Sequence, residues 1–261
     1  MASRVLLVSL LALSSVGLIS AQAVTELERR ASLPSKAFAY PTRKAEPVDA
    51  GAGGDVRPVR VQELPSLKGE SISQVHYVLE PCGLNSPQLH PRAAEIVYVI
   101  KGDELEMGFV EENGPSPRVI NNTLKAGQSM LVPEGLLHWQ YNRGCKPVEF
   151  ISTFNSEDPG VLTVASRLLS IPTNALATTL GVRQREAVRL DSDQKQVAAP
   201  AIGGYECLKR CGIDIGEQLC KGYSCGDGGV CMVKFDRPEC VCAPNYVRDA
   251  STGKCVKRNF S

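Results

Sequence analysis

Gly127-Gln128-Ser129-Met130-Leu131-Val132-Pro133-Glu134-Gly135-Leu136-Leu137-His138, closing at Asn142, is the stretch on which the reading of this 261-residue chain turns. Short apolar runs sit on either side of a Pro-Glu-Gly turn, and the second run carries a histidine. A companion lies upstream: Gly83-Leu84-Asn85-Ser86-Pro87-Gln88-Leu89-His90-Pro91-Arg92-Ala93-Ala94-Glu95, closing at Gly102. On a strand, residues two apart point to the same side, so Gln88 and His90 face one cavity together. Glu95 follows on the next strand after a turn and completes that wall, and a distant strand brings His138. Of the chain's three histidines, two fall on these positions.

Between Val56 and Ser152 short apolar runs alternate with turn signals such as Lys101-Gly102-Asp103, Glu112-Asn113-Gly114-Pro115 and Lys125-Ala126-Gly127. Such spacing predicts an all-β sandwich or barrel. The run from Glu95 to Ile100 is apolar at alternate positions on both faces, which predicts a strand covered on both sides. After Asp158-Pro159-Gly160 the pattern turns helical: Leu162, Val164, Ala165, Leu168 and Leu169 recur at spacings of one to three. Pro172-Thr173 restarts a helix with Leu176 and Leu180, and a third piece runs from Val182 to Leu190. Residues 24–55, rich in charge, Pro and Gly, predict an extended arm, and residues 191–205 a linker.

Two imidazoles, one carboxylate and one carboxamide oxygen make a donor set for a single divalent ion of borderline or hard character. The two segments resemble the paired motifs of the cupin family in the form found in germin-like proteins. The first reads G-x5-H-x-H-x3–4-E-x6-G and the second G-x5-P-x-G-x2-H-x3-N. Every fixed position of the second is matched here. The first departs at two places: Gln88 stands where germins place a histidine, and four residues rather than five separate it from Gly83. The resemblance extends through Val59–Lys68 and Asn155–Leu190, so it covers about residues 37–190.

It implies an all-β cupin jelly-roll barrel with a C-terminal helical extension, and a metal site at Gln88, His90, Glu95 and His138. It further implies Mn(II) as cofactor, with Zn(II) or Fe(II) as alternatives, a homotrimer or hexamer, and an extracellular, cell-wall or apoplast-like location. A glutamine keeps the site's net charge, since its carbonyl oxygen is as neutral as imidazole. Type I phosphomannose isomerases, also cupins, are similar in using a Gln-x-His, Glu, His set. The competing reading is a decayed site of the seed-storage kind.

Within the family, oxalate oxidases carry two cavity asparagines. Asn85 matches one and is the candidate substrate contact, but Val75 stands at the other, which argues against oxalate oxidation. Superoxide dismutation asks only for an accessible redox metal with an open position. His76, adjacent to Val75, alternates to the opposite side and reads as a surface or interface histidine.

The N-terminus adds the compartment. Met1-Ala2-Ser3-Arg4, an apolar run from Val5 to Ile19, and Ala21-Gln22-Ala23 make a signal peptide over residues 1–23. The run is short for a membrane span, which needs about 20 apolar residues, so no span is expected. A net charge of +1 gives no reason to expect nucleic acid as partner. Two glycosylation sequons occur, at Asn121 in a polar turn and at Asn259 near the chain's end.

Of 10 cysteines, eight fall from Cys207 onward. The last six read C-x4-C-x5-C-x8-C-x-C-x12-C and resemble an EGF-like domain over residues 206–258. That resemblance implies Cys220–Cys231, Cys225–Cys240 and Cys242–Cys255, leaving Cys207 with Cys211. Calcium binding is not expected, because Gly216 replaces a ligand between Asp214 and Glu217. Cys82 and Cys145 remain. In a jelly roll the motif strands lie antiparallel, and if His90 faces His138, walking back to Cys82 and forward to Cys145 brings the sulfurs together. The expectation is a Cys82–Cys145 bond in an oxidising compartment. Two functions follow: an extracellular metalloenzyme acting on superoxide or a small oxygenated anion, or a matrix or storage protein with the EGF-like module as adhesive for another extracellular protein or glycan.

Overall fold

The computed structural model describes residues 25–194, 200–220, 223–234 and 237–258. The expected signal peptide, residues 1–23, and the Asn259 sequon lie outside them. The chain divides into two units, one ending at Pro34 and one from Ser35 onward. In the first, helix α1 (Glu26–Ala31) opens with a capping box. The Thr25 side chain accepts from the Glu28 amide, and the Glu28 carboxylate accepts from the Thr25 amide. The segment expected as an extended arm thus carries a short helix, because one capped turn is too short to show periodicity.

The second unit is built on two six-stranded sheets. One runs in the order β1 (Asp49–Gly51), β2 (Gly54–Val59), β3 (Ser73–Leu79), β10 (Val148–Phe154), β5 (Glu95–Lys101), β8 (Ser129–Val132). The other runs β11 (Leu162–Thr163), β4 (Gly83–Leu89), β9 (Leu137–Asn142), β6 (Leu105–Val110), β7 (Val119–Leu124), with β12 (Ala201–Ile202) also on β4. Sequence-distant strands become neighbours in both, as a jelly roll requires. The barrel therefore begins with the β1–β2 hairpin, before the Val56 boundary drawn from sequence.

Alternation decides what faces inward. Val75, Tyr77 and Leu79 of β3, Val97 and Val99 of β5, and Val148, Phe150 and Phe154 of β10 join Leu105, Met107 and Val132 in one buried cluster. The outer face of β5 is another matter: Ile96 and Tyr98 are 48% and 49% exposed, and Leu131 beside them on β8 is 58% exposed. Among the described residues of the single chain nothing covers this outer face as expected. Asn121 is exposed, but on edge strand β7 rather than in a turn.

Three helices follow the barrel: α2 (Val164–Leu169), α3 (Thr173–Leu180) and α4 (Gln184–Gln194). Leu176, Ala177 and Ala187 bury themselves between them, and Gly181 ends α3 in the left-handed conformation (φ 64°) that a C-terminal cap favours. Leu162, counted with the helical pattern, lies in β11 opposite Leu89. No described helix is long and apolar enough to cross a membrane.

The stretch read as a linker is partly structure: α4 runs into it, and β12 pairs Ala201 with Leu84 and Ile202 with Gly83. Gly53 packs so close to this strand that a Cβ there would lie 1.9 Å from the Ala201 carbonyl oxygen. Helices α5 (Tyr205–Arg210) and α6 (Ile215–Cys220) follow. The disulfide-rich region then forms two hairpins, β13 (Gly229–Lys234) with β14 (Arg237–Cys242), and β15 (Tyr246–Arg248) with β16 (Cys255–Lys257). Its bonds are Cys220–Cys231, Cys225–Cys240 and Cys242–Cys255.

The other four cysteines correct the sequence reading. Cys82 bonds Cys207 and Cys145 bonds Cys211, with Cα separations of 5.8 and 5.1 Å; neither Cys82–Cys145 nor Cys207–Cys211 forms. Register is the reason. His138 faces Gln88, not His90, and further along the ladder Asn85 faces Gln140 and Leu84 faces Tyr141. Carried on, that register sets Cys82 against Arg143, two residues short of Cys145. Cys207 and Cys211, one helical turn apart at the end of α5, present both sulfurs to the same side and bridge the gap. One sulfur holds the start of β4, the other the loop after β9.

Candidate metal centre

β4 carries Gln88, His90 follows directly after it, and β9 carries His138, so three of the four expected donors come from this pair. Pro87 has no amide hydrogen to give the ladder, and the β4–β9 register shifts between Asn85 and Gln88 around it. Beyond this bulge Gln88 and His90 are both buried, while Pro87 before them and Leu89 between them are less so. Glu95 opens β5 in the other sheet, and His138 is on β9.

His90, Glu95 and His138 each bring a donor atom to one place: the three atoms all lie within 4.8 Å of one another. Glu95 Oε2 stands 3.0 Å from His138 Nε2 and 3.6 Å from His90 Nε2. All three residues are almost wholly buried. These same three atoms are buried without a hydrogen-bond partner of adequate geometry. Orphaned polar atoms are costly in a protein interior, so three aimed at one point call for a shared occupant.

The other side of each donor is tied down. His90 Nδ1 lies 2.6 Å from the Gly160 carbonyl oxygen and His138 Nδ1 3.0 Å from that of Leu136. Each contact places the proton on Nδ1 and turns the Nε2 lone pair inward, the usual arrangement of an imidazole metal ligand. Ser152 Oγ donates to Glu95 Oε1, and Gln140 Nε2 approaches the same oxygen at 3.5 Å. Glu95 Oε2 is left for the centre.

The electrostatics fit. Burial pushes the Glu95 carboxyl up, but the close His138 imidazole and the His90 charge hold it below the usual carboxylate range. Burial pulls His138 down, and its close approach to the Glu95 carboxylate more than reverses this, leaving it raised. Burial prevails at His90, which is lowered and stays a neutral donor. A divalent cation requires both imidazoles neutral beside the ionised carboxylate, so His138 gives up its second proton when the ion binds.

Gln88 is 6% exposed, directly across the ladder from His138. With His90 it lines a cavity of about 210 Å³ whose wall includes Arg60, Val75, Tyr77, Asn85 and Pro200. Asn85, the candidate substrate contact, lines it too, and its Nδ2 donates to Gln140 Oε1 at 2.7 Å. His76 departs from its reading: it points away from the core yet is only 4% exposed, with Nε2 2.7 Å from Glu149 Oε1, which also pairs with Arg43. The hairpin and residues before it cover a face that sequence alone left open.

Sequence reasoning passed over Gln140, Ser152 and Gly160. Gln140 had a signal, since it lies two residues after His138 and so shares its face. Ser152 and Gly160 had none, for their approach depends on how β10 and the chain beyond it close on the site.

Comparison with known proteins completes the assignment. Residues 42–187 match the Cupin family model. The chain belongs to the cupin family. Spherulin-1A of Physarum polycephalum is 32% identical over 192 residues, 73% of this chain and 76% of its own length. Germin-like protein subfamily 2 member 2 of Arabidopsis thaliana is 36% identical over 139 residues, 52% of this chain and 62% of its own. Among solved structures, a recombinant oxalate oxidase in complex with glycolate superposes with a TM-score of 0.58 at 29% identity, covering 63% of this chain and 83% of that one. This is therefore a germin-like cupin barrel followed by a region rich in disulfides, and its buried His/Glu/His cluster is a candidate metal centre.

Proposed function

We propose that this cupin is a secreted protein holding one divalent metal, manganese in preference to zinc or iron, through Gln88, His90, Glu95 and His138, and that it carries out superoxide dismutase-type redox chemistry. The observation carrying this reading is the convergence of His90 Nε2, Glu95 Oε2 and His138 Nε2, each buried and unpartnered. Three ligands of mixed nitrogen and oxygen character, with an amide oxygen beside them, suit Mn(II). When bound, the ion supplies one-electron redox capacity and a coordination position open to a small anion.

The chain's own residues do the rest. Gly160 and Leu136 keep the imidazole protons away from the centre, and Ser152 and Gln140 hold the carboxylate's far oxygen. The cavity beside Gln88 and His90 gives a route for a small anion. Val75 offers that cavity no hydrogen-bond donor, which supports superoxide over oxalate as substrate. Export, a glycan at Asn121 and an extracellular location belong to the same reading. Five disulfides among the described residues suit an oxidising compartment. The exposed Ile96, Tyr98 and Leu131, with Leu168, Ile171 and Leu180 of the helical extension, support a homotrimer or hexamer. The disulfide-rich module, EGF-like in its cysteine spacing, would take an extracellular protein or glycan.

Metal analysis of the purified protein tests this, followed by superoxide and oxalate assays on manganese-loaded protein. Near-stoichiometric metal that is lost in His138→Ala, with activity toward superoxide and none toward oxalate, is the expected result. Equal metal content in wild type and His138→Ala removes the centre. Stoichiometric metal without either activity leaves a binding protein rather than an enzyme.

A further inference from the structure

The two disulfides that fasten α5 to the barrel lie against each other. Cys207 and Cys211 are one helical turn apart, so their partners Cys82 and Cys145 are drawn to one spot. Cys82 Sγ stands 3.9 Å from Cys211 Sγ, although these two are not bonded. The sulfurs of Cys82, Cys207 and Cys211 all lie within 4.8 Å of one another. A thiolate released at any of these positions therefore finds a disulfide sulfur beside it, and attack of a thiolate on a disulfide sulfur is how such bonds exchange.

The two bonds differ in access. Cys145 is exposed, in the loop after β9, and Cys211 is half-buried at the end of α5. Cys82 and Cys207 are both buried. A thiolate arriving from solvent reaches the Cys145–Cys211 bond and is shut off from Cys82–Cys207. The charges differ as well. A guanidinium nitrogen of Arg210 lies 3.5 Å from Cys207 Sγ, and the same nitrogen donates to the Arg143 carbonyl, which holds it there. A cation beside a sulfur favours its thiolate, and a sulfur that is the better thiolate leaves a disulfide faster.

We propose that Cys145 is a capture site for small thiols, and that Cys211, Cys82 and Cys207 carry the exchange inward. In the first step the incoming thiolate bonds to Cys145 Sγ; the Cys145–Cys211 bond breaks and Cys211 keeps the electron pair as a thiolate. In the second, Cys211 Sγ bonds to Cys82 Sγ, its neighbour at 3.9 Å. The Cys82–Cys207 bond breaks, and Cys207 leaves as a thiolate beside Arg210. Two disulfides and one thiolate enter and two disulfides and one thiolate remain, so the exchange consumes no oxidant or reductant. The second step also retains the captured molecule. A thiolate left on Cys211 would attack the new Cys145 bond and expel the thiol, whereas transfer to Cys82 moves the negative charge to Cys207. Helix α5 stays bonded to the barrel through Cys82–Cys211, and the loop after β9 carries the thiol. None of this depends on the metal centre.

The test is peptide mapping of the full-length, disulfide-bonded protein after incubation with glutathione at mildly alkaline pH. Acid stops the exchange, a maleimide labels free thiols in the unfolded chain, and the map is made without reduction. Glutathione on Cys145, label on Cys207 and a crosslinked Cys82–Cys211 peptide, in equal amounts, are expected. Glutathione on Cys145 with label on Cys211 and Cys82–Cys207 intact overturns the inward step. No glutathione on Cys145, or capture first by the cysteines of the hairpin module, overturns the site. Cys145→Ser asks the same question without an added thiol, because it leaves Cys211 free from the outset. Label divided between Cys211 and Cys207 is expected there, and label on Cys211 alone counts against the step. In that background Arg210→Gln should move label from Cys207 to Cys211 and Arg210→Lys should restore it. A ratio unchanged by Arg210→Gln overturns the role given to the cation. Melting temperatures check the fold of each variant, and the wild-type map decides by itself if one fails to fold.

Discussion

The barrel and the disulfide-rich module solve the problem of staying folded in different ways. The barrel buries Leu79, Val97, Val99, Leu105, Met107, Val148, Phe150 and Phe154 in one cluster. The module's buried cluster is three cysteines, Cys225, Cys240 and Cys255, with a few half-buried neighbours. A chain segment that short cannot bury enough apolar surface to offset its conformational entropy, so crosslinks take over by restricting the unfolded state. The barrel's surplus of apolar burial has another use. It lets the fold tolerate two histidines, a glutamate and a glutamine at its centre, all buried.

That contrast can be broken from either side. Phe150→Ala empties the middle of the barrel and should cost about 3–5 kcal/mol, read as a lowered thermal midpoint of the barrel transition. The module should be unaffected, with its three disulfides intact by peptide mapping. Replacing Cys225 and Cys240 together by serine removes a 15-residue crosslink and should cost the module about 3 kcal/mol. Hydrogen exchange should then rise over residues 223–258 and stay protected in β3, β5 and β10. If both substitutions melt both regions together, the two are one cooperative unit and the contrast is wrong.

The site itself sharpens the comparison through pH. In the metal-free protein His138 is raised by Glu95, so its contribution to stability is present below the free imidazole value and is lost as pH rises through its raised value. Glu95 is lowered, so its contribution is present above the free carboxylate value and is lost as pH falls through its lowered value. Metal needs His138 without its second proton. The gain in melting temperature from added Mn(II) should therefore grow as pH rises through the imidazole range. A gain independent of pH between about 5 and 8 would mean that His138 is not a ligand.

The smallest expected change in monomer stability is at the barrel's outer face. Ile96→Lys with Leu131→Lys should alter folding by no more than about 0.5 kcal/mol each, because both side chains are about half exposed or more. Light scattering should nevertheless report a smaller assembly. An unchanged mass would show that this face is not where copies meet.

Much of this molecule was legible in one dimension. Alternation gave the strands of the barrel, because a residue's side of a sheet is fixed by its parity. The same rule placed Gln88 and His90 together, and the motif spacing set Glu95 and His138 with them. The resemblance of the last six cysteines to an EGF-like domain implied the pairing they adopt. What parity cannot supply is register between strands distant in sequence. β4 pairs with β9 so that Gln88 rather than His90 lies opposite His138, and the register shift between Asn85 and Gln88 carries Cys82 one residue further from Cys145. Only the packing of α5 on the barrel decided that Cys207 and Cys211 would take those sulfurs instead. Likewise the Gly160 carbonyl and the Ser152 hydroxyl reach the centre because tertiary closure brings them there. Local sequence fixes which way a side chain points; how far away its partner lies is settled by the whole fold.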